Sequence, residues 1–426
     1  MATIRGTDRE EYLVGTSEDD EIYGEGRNDR LLGLGGNDHI FGGYGNDTFY
    51  GEAGNDKFYG DIGFDLLSID IETSTQNSRI ALSDNQFNGA SNGFGTDTLD
   101  SIEWVQLIGS SRNIYNRVSA SFFTGKLEFI GKSFFEYSPR NTVFAGSGDD
   151  TLLGAGNNDY FSGGSGADLL RGHGGNDRLI GGSGRDHLEG GEGDDIYIIA
   201  DSSDRLDKII ERADEGNDTI ETSVSHGLRS GVNDQVENLT LKGTAGIDGT
   251  GNYLNNVIRG NRGSNRLIGG SGNDTLLGEG GNDVLVGPNP YRLGTPITEI
   301  DVLTGGGGND EFVLGLGGPG SRNWIGGSHP QYLYDDGTRR SAGSRSYGLI
   351  IDFTDGMDKI QLRGVAQEYK LKPITVTLNS QMISGTGIYL DEYSTFPDEL
   401  IGVVQHGQGI QAGQLDLTNT QQFVYV

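Results

Sequence analysis

Apolar residues near the start of the chain recur at one fixed spacing. Ile22, Leu31, Ile40, Phe49, Phe58 and Leu67 lie nine residues apart, each at the centre of a triplet such as Thr48-Phe49-Tyr50. Such triplets predict very short strands whose middle side chain points inward. Between them, Gly15, Gly24, Gly33, Gly42, Gly51 and Gly60 open Gly-rich quartets. Glycine reaches φ > 0 without strain, so these quartets predict tight turns. Two turn–strand frames close one coil of 18 residues. Coils stacked about 4.8 Å apart then turn the apolar series into two columns of core.

The sixth place of every frame in the first two blocks is acidic. Asp20, Asp29, Asp38, Asp47, Asp56 and Asp65 keep the nine-residue step in the first block. A second block carries Asp150, Asp159, Asp168, Asp177, Asp186 and Asp195, tracked by Leu152, Phe161, Leu170, Leu179, Leu188 and Tyr197. The step from Asp65 to Asp150 is 85 residues, not a multiple of nine, so the segment between breaks phase. A third block, 251–313, carries Asn256, Asn265, Asp274, Asp283, Asp301 and Asp310. Its frame is expected to run on through 287–295, where Pro288 and Pro290 replace glycines and Arg292 takes the Asp place.

Composition narrows the function classes. The 426 residues include 74 Gly, 8 Pro and no Cys, with 31 Lys plus Arg against 62 Asp plus Glu, a net charge of −31. So negative a chain does not suit nucleic acid, which is held by clustered cations. Runs such as Ile196-Tyr197-Ile198-Ile199-Ala200 are too short to span a bilayer. Without Cys there are no disulfide staples and no thiolate zinc sites. High charge with 33% apolar residues would also suit a disordered linker. Strict phasing of the apolar residue argues against that.

Stacking puts the sixth-place carboxylates of frames i and i+2 above one another. Two unit charges about 5 Å apart repel by roughly 3 kcal/mol at an effective dielectric near 20. A small hard cation between the turns reverses that sign. Carboxylates with turn carbonyls form an all-oxygen set that suits Ca²⁺, whereas Mg²⁺ demands a stricter octahedron. The six His show no paired ligand spacing that would indicate a transition metal.

The stretches Gly42-Gly43-Tyr44-Gly45-Asn46-Asp47-Thr48-Phe49, Gly163-Gly164-Ser165-Gly166-Ala167-Asp168-Leu169-Leu170 and Gly269-Gly270-Ser271-Gly272-Asn273-Asp274-Thr275-Leu276 follow GGxGxDxUx. The chain thereby resembles the RTX family of hemolysin-type calcium-binding repeat proteins, of the cyanobacterial secreted type. The resemblance implies an all-β fold: a parallel β-roll or β-helix solenoid in three repeat blocks, with irregular β inserts and a C-terminal β cap. It also implies Ca²⁺ held between frames i and i+2. Carried onto this chain, the all-Asp pairs are 20/38, 29/47, 38/56, 47/65, 150/168, 159/177, 168/186 and 177/195. Pairs 256/274 and 265/283 each contain an Asn and should bind more weakly. Glu18, Arg27 and Asn157 stand where the pattern has Gly. About eight strong sites would move the charge from −31 to roughly −15.

The expected divisions are 1–68 (N-terminal cap and first roll), 69–144 (irregular β insert), 145–200 (second roll) and 201–250 (β-helical insert). They continue with 251–313 (third, partly degenerate roll), 314–346 (loop or linker) and 347–426 (cap and secretion region). Phe122, Phe123, Phe129, Phe134, Phe135 and Tyr137 make 69–144 the densest aromatic segment. It reads either as core of wider coils or a small β subdomain, or as an adhesive surface. Asp207 and Asp218 are expected to be solvated turn carboxylates, with contact to metal as the alternative. A cap is physically required over the last coil.

Met1–Asp8 has no apolar core for a cleavable signal peptide. The resemblance implies type I secretion, with that apparatus as a partner and an extracellular location. No HExxH motif is present, and a non-enzymatic calcium-binding protein of the cell surface or extracellular matrix is expected. Two alternatives stand beside it. One is a calcium-dependent adhesin or carbohydrate-binding protein that contacts a surface polysaccharide or surface layer through 69–144 or 314–346. The other is an enzyme with an unrecognised site.

Overall fold

In the computed structural model the Gly-rich quartets form turns and the apolar triplets form strands. The structure describes residues 1–51, 53–70, 78–83, 86–89, 95–100, 102, 104–108, 116–122, 126–130, 141–200, 207–228, 235–288, 299–314, 347–362, 366–390, 399–406 and 413–425. Almost every described element is a strand; the helical one is a single 3₁₀ turn, Ala366–Glu368. No helix among the described residues is long and apolar enough to cross a membrane. The chain divides into two compact units, Met1–Asp218 and Thr219–Val426.

The first unit is a parallel roll. On one side Thr3–Arg5, Glu21–Tyr23, His39–Tyr44 and Lys57–Ile62 pair in parallel. Tyr12–Val14, Arg30–Leu32, Thr48–Tyr50 and Leu66–Asp70 begin the facing ten-stranded sheet. Register puts Ile22, Ile40 and Phe58 in one column and Leu31, Phe49 and Leu67 in the other, all at most 1% exposed. Each apolar frame residue is thus fully desolvated, worth about 1.5–3 kcal/mol apiece.

The phase-breaking insert does not interrupt the ten-stranded sheet. Trp104–Ile108 pairs with Leu66–Asp70, Lys126–Ile130 follows, and Thr151–Leu153 is next. Leu67, Val105 and Leu127 stack, as do Ile69, Leu107 and Phe129; then Leu152 sits against Phe129. The core column therefore moves over by two residues. A slip of two preserves the inward face, because side chains alternate with period two. In the other sheet the insert adds a hairpin: Gly95–Asp100 pairs parallel with Lys57–Ile62, and Gln86–Gly89 lies antiparallel to it and to Ser78–Ser83. Asn116–Phe122 restores parallel stacking onto Asn141–Phe144. The described strands of 69–144 thus continue the solenoid's stacking, and Phe129 is core. Phe123, Phe134, Phe135 and Tyr137 lie outside the described residues.

In the second unit, Thr219–Thr222, Asn238–Leu241, Val257–Arg259, Thr275–Leu277, Ile300–Thr304 and Tyr347–Ile350 form one parallel series. His226–Gly227, Gly249–Thr250, Arg266–Gly270, Val284–Pro288, Glu311–Val313, Lys359–Leu362 and Phe423–Tyr425 form the other. Here the sequence frame is corrected. Leu276 pairs with Leu303 and Leu285 with Phe312, so the frame 287–295 adds no half-coil to the stack. Arg292 and the arginines 322, 339, 340 and 345 lie outside the described residues.

The roll's last coil is covered by antiparallel structure. Glu399–Gln405 pairs parallel with Tyr347–Ile350, then Gln381–Leu390 and Tyr369–Leu378 add an antiparallel hairpin. Tyr347, Leu349, Leu400 and Val403 form its buried core. Phe423 is 1% exposed and belongs to the second sheet.

Candidate metal sites

The sixth-place residues line up in two ladders along the roll. Each carboxylate reaches into the turn of the neighbouring coil, where its Oδ1 accepts the backbone N–H of the sixth residue. In the first block the N–H groups of Asp20, Asp29, Asp38 and Asp47 donate to Asp38, Asp47, Asp56 and Asp65 at 2.7–2.8 Å. In the second, Asp150, Asp159, Asp168 and Asp177 donate to Asp168, Asp177, Asp186 and Asp195 at 2.7–2.8 Å. These are the eight all-Asp pairs expected from spacing. Every one of these aspartates is at most 3% exposed.

In several of these carboxylates one oxygen is used and the other is stranded. By contrast, Oδ2 of Asp20 accepts from Thr16, and Oδ2 of Asp150 and Asp159 accepts the N–H of Gly146 and Ala155 at 3.3 Å. Oδ2 of Asp29, Asp38, Asp47, Asp168, Asp177, Asp195, Asp283 and Asp310 is buried and accepts no hydrogen bond. A buried carboxylate oxygen without a partner costs about 1–3 kcal/mol or more. Burial, more than repulsion between neighbouring carboxylates, is the main burden. It pushes Asp29 and Asp38 up to about 6, Asp150 and Asp159 to about 7, Asp168 to about 8 and Asp177 to about 9. The charges of Asp159 and Asp195 add a smaller push to Asp177. At the first coil the balance inverts. Burial raises Asp20, but donors at Ala2 and Thr16 and the terminal ammonium outweigh it and leave Asp20 below its ordinary value.

The turns that surround these oxygens keep a left-handed backbone even without glycine. Gly164 has φ +108° and lies against the carbonyl of Gly146 in the next coil. Glu25, Leu34, His173 and Glu279, at the same second place of their frames, hold φ of +73° to +76°. Arg27 follows with +75°, whereas Glu18 and Asn157 are not left-handed. The stack, rather than residue preference, imposes the turn.

Asn256 and Asn265 behave differently from the aspartates. Asn256 Oδ1 accepts Asn252 N–H at 2.8 Å, and its Nδ2 donates to the Glu237 carbonyl at 2.9 Å and to Asn252 Oδ1 at 3.1 Å. Asn265 repeats this with Asn261 and the Ile247 carbonyl. Amide hydrogen bonds close these two turns. Asp274 and Asp283 accept from Asn256 and Asn265, both at 2.8 Å. Asp301 and Asp310 accept from Asp274 and Asp283 across 27 residues.

Spacing missed several rungs. Asp207 accepts from Asp186 N–H at 3.0 Å, Asp218 from Asp195 at 2.9 Å and Asp358 from Asp310 at 3.0 Å, across 21, 23 and 48 residues. Asp218 is 1% exposed, which corrects its reading as a solvated carboxylate. The available signal was an Asp two residues before an inward apolar residue: Asp207-Lys208-Ile209, Asp218-Thr219-Ile220 and Asp358-Lys359-Ile360. Glu11 also stands in a ladder, its N–H donating to Asp29 at 2.8 Å.

The donor set is anionic, oxygen-only, buried and left with unpartnered lone pairs, which suits Ca²⁺. The family model of the RTX calcium-binding nonapeptide repeat (4 copies) matches residues 5–40, 32–67, 140–170, 171–205, 250–285 and 298–318. No curated protein matches the chain. Ladder and repeat coincide, and along these stretches the chain is built of RTX calcium-binding nonapeptide repeats.

Proposed function

We propose that the protein is a secreted, non-enzymatic calcium-binding protein that folds outside the cell as its ladders fill with Ca²⁺. The observation that carries this reading is the row of buried carboxylate oxygens without hydrogen-bond donors. Asp29, Asp38, Asp47, Asp168, Asp177, Asp283 and Asp310, with their ladder neighbours, would hold the ions. Bound Ca²⁺ supplies the positive charge that buried carboxylates need.

Extracellular calcium modules often have Kd of about 10⁻⁴ to 10⁻³ M. At ten times Kd each site contributes about 1.4 kcal/mol, so several together match a marginal stability of about 5–15 kcal/mol. In low-calcium cytosol the chain would then stay unfolded and fit for export as a thread. Removal of Ca²⁺ with EGTA should abolish the strand signal in far-UV circular dichroism, and millimolar CaCl₂ should restore it. Calorimetry should count several equivalents of Ca²⁺. An unchanged spectrum, or uptake of none, overturns the proposal. Localisation of the native protein to the medium or surface layer, rather than the cytosol, checks the export route.

A further inference from the structure

At the end of the second block the repeat departs from its own rule, and three carboxylates meet. The strand Lys208–Ile210 pairs in register with His187-Leu188-Glu189, so Glu211 takes the place over Gly190 where regular frames carry glycine. From Gly190 to Asp195 is five residues; from Glu211 to Asp218 is seven, so this turn is longer by two. Ligand oxygens of Asp195, Glu211 and Asp218 lie within 4.8 Å of one another. The three residues are 1%, 5% and 1% exposed.

Their hydrogen bonds leave capacity pointing into the cluster. Asp195 Oδ1 accepts Asp177 N–H at 2.7 Å, and Asp218 Oδ1 accepts Asp195 N–H at 2.9 Å. Glu211 Oε1 accepts the Tyr197 hydroxyl, itself fixed by Gly190 N–H at 2.6 Å. Glu211 Oε2 and Asp195 Oδ2 are buried with no partner. The neighbouring cation, Arg212, is exposed and engaged with Glu189 at 2.6 Å and Glu215 at 3.1 Å. Tyr197 is also the one tyrosine among the twelve inward frame residues of the first two blocks.

We propose that Asp195, Glu211 and Asp218 form a calcium site of their own, in which a glutamate side chain stands where the repeat has a turn glycine. Among the described residues of the first unit it is the group in which three carboxylates converge, with the neighbouring Arg212 engaged elsewhere. It therefore takes up Ca²⁺ first and pins the lengthened turn 212–217. This inference rests on the calcium reading of the ladders, and its test separates the two.

Calcium titration of the full chain by calorimetry, wild type against Glu211→Gln and Glu211→Gly, reads the site. One equivalent, the tightest, should weaken at least about tenfold, since affinity follows the number of charged ligands, while the others stay put. Unchanged affinities for every equivalent overturn the proposal. Absence of calcium uptake by the wild type overturns the ladder reading instead. If the Glu211 variants do not fold in millimolar CaCl₂, Tyr197→Phe keeps all three carboxylates and reads the same place. Tyrosine-sensitised Tb³⁺ emission at the first equivalent should fall several-fold; unaltered emission counts against the site.

Discussion

Asp177 holds the problem of the protein in one side chain. Its Oδ1 is bonded to the next coil, its Oδ2 is stranded, and burial pushes its carboxyl up to about 9. An unfolded Asp titrates near 3.9. Without calcium the folded state therefore binds more protons than the unfolded state between those values. Stability linked to these groups is full below about pH 4 and is lost as pH rises through about 6 to 9. In EGTA the strand signal should persist near pH 5 and disappear by about pH 8.5. In calcium it should change little over that range, because the ion replaces the protons and binding releases them. Circular dichroism across pH, with and without EGTA, checks both; a calcium-free fold more stable at alkaline pH would contradict the assigned burial.

Turns and strands carry different parts of the specification. Phe161 and its column neighbours supply the apolar core, and truncation of such a ring costs about 3–5 kcal/mol anywhere it is buried. The turn is less forgiving of small changes. At Gly164 a Cβ would meet the Gly146 carbonyl, and the left-handed φ is itself unfavourable. Gly164→Ala should destabilise the calcium-loaded protein by more than about 1 kcal/mol, measured as a lower urea midpoint. His173, with φ +76°, shows that the second place of a frame can bear a side chain in the left-handed turn. Both features follow from coils that sit one strand spacing apart.

For the whole chain, charge separates a general effect from a specific one. A net charge of −31 opposes compaction, and added salt screens exposed charges. The stranded oxygens are buried, where screening is weak. About half-molar NaCl, with a Debye length near 4 Å, should therefore fail to replace millimolar CaCl₂ in restoring the fold. Recovery of the strand signal in NaCl plus EGTA would show that diffuse repulsion, rather than the ladders, governs folding.

The nine-residue period made the roll legible before any coordinates. Apolar phase names the inward side chains, and eight Asp pairs follow from two-frame addition. The rest needed the stack. The frame 287–295 keeps its phase, yet Leu276 pairs directly with Leu303 and Leu285 with Phe312, which the period alone does not foresee. Asp207, Asp218 and Asp358 break phase yet remain rungs, because strand pairing aligns them. Asn256 and Asn265 look like weaker ligands by type, but their amides find carbonyl and side-chain partners that sequence does not reveal. Local periodicity is written in the chain since each frame folds by the same rules. Which oxygens are left without donors, and that Glu211 meets Asp195 and Asp218, depends on neighbours brought together from distant frames.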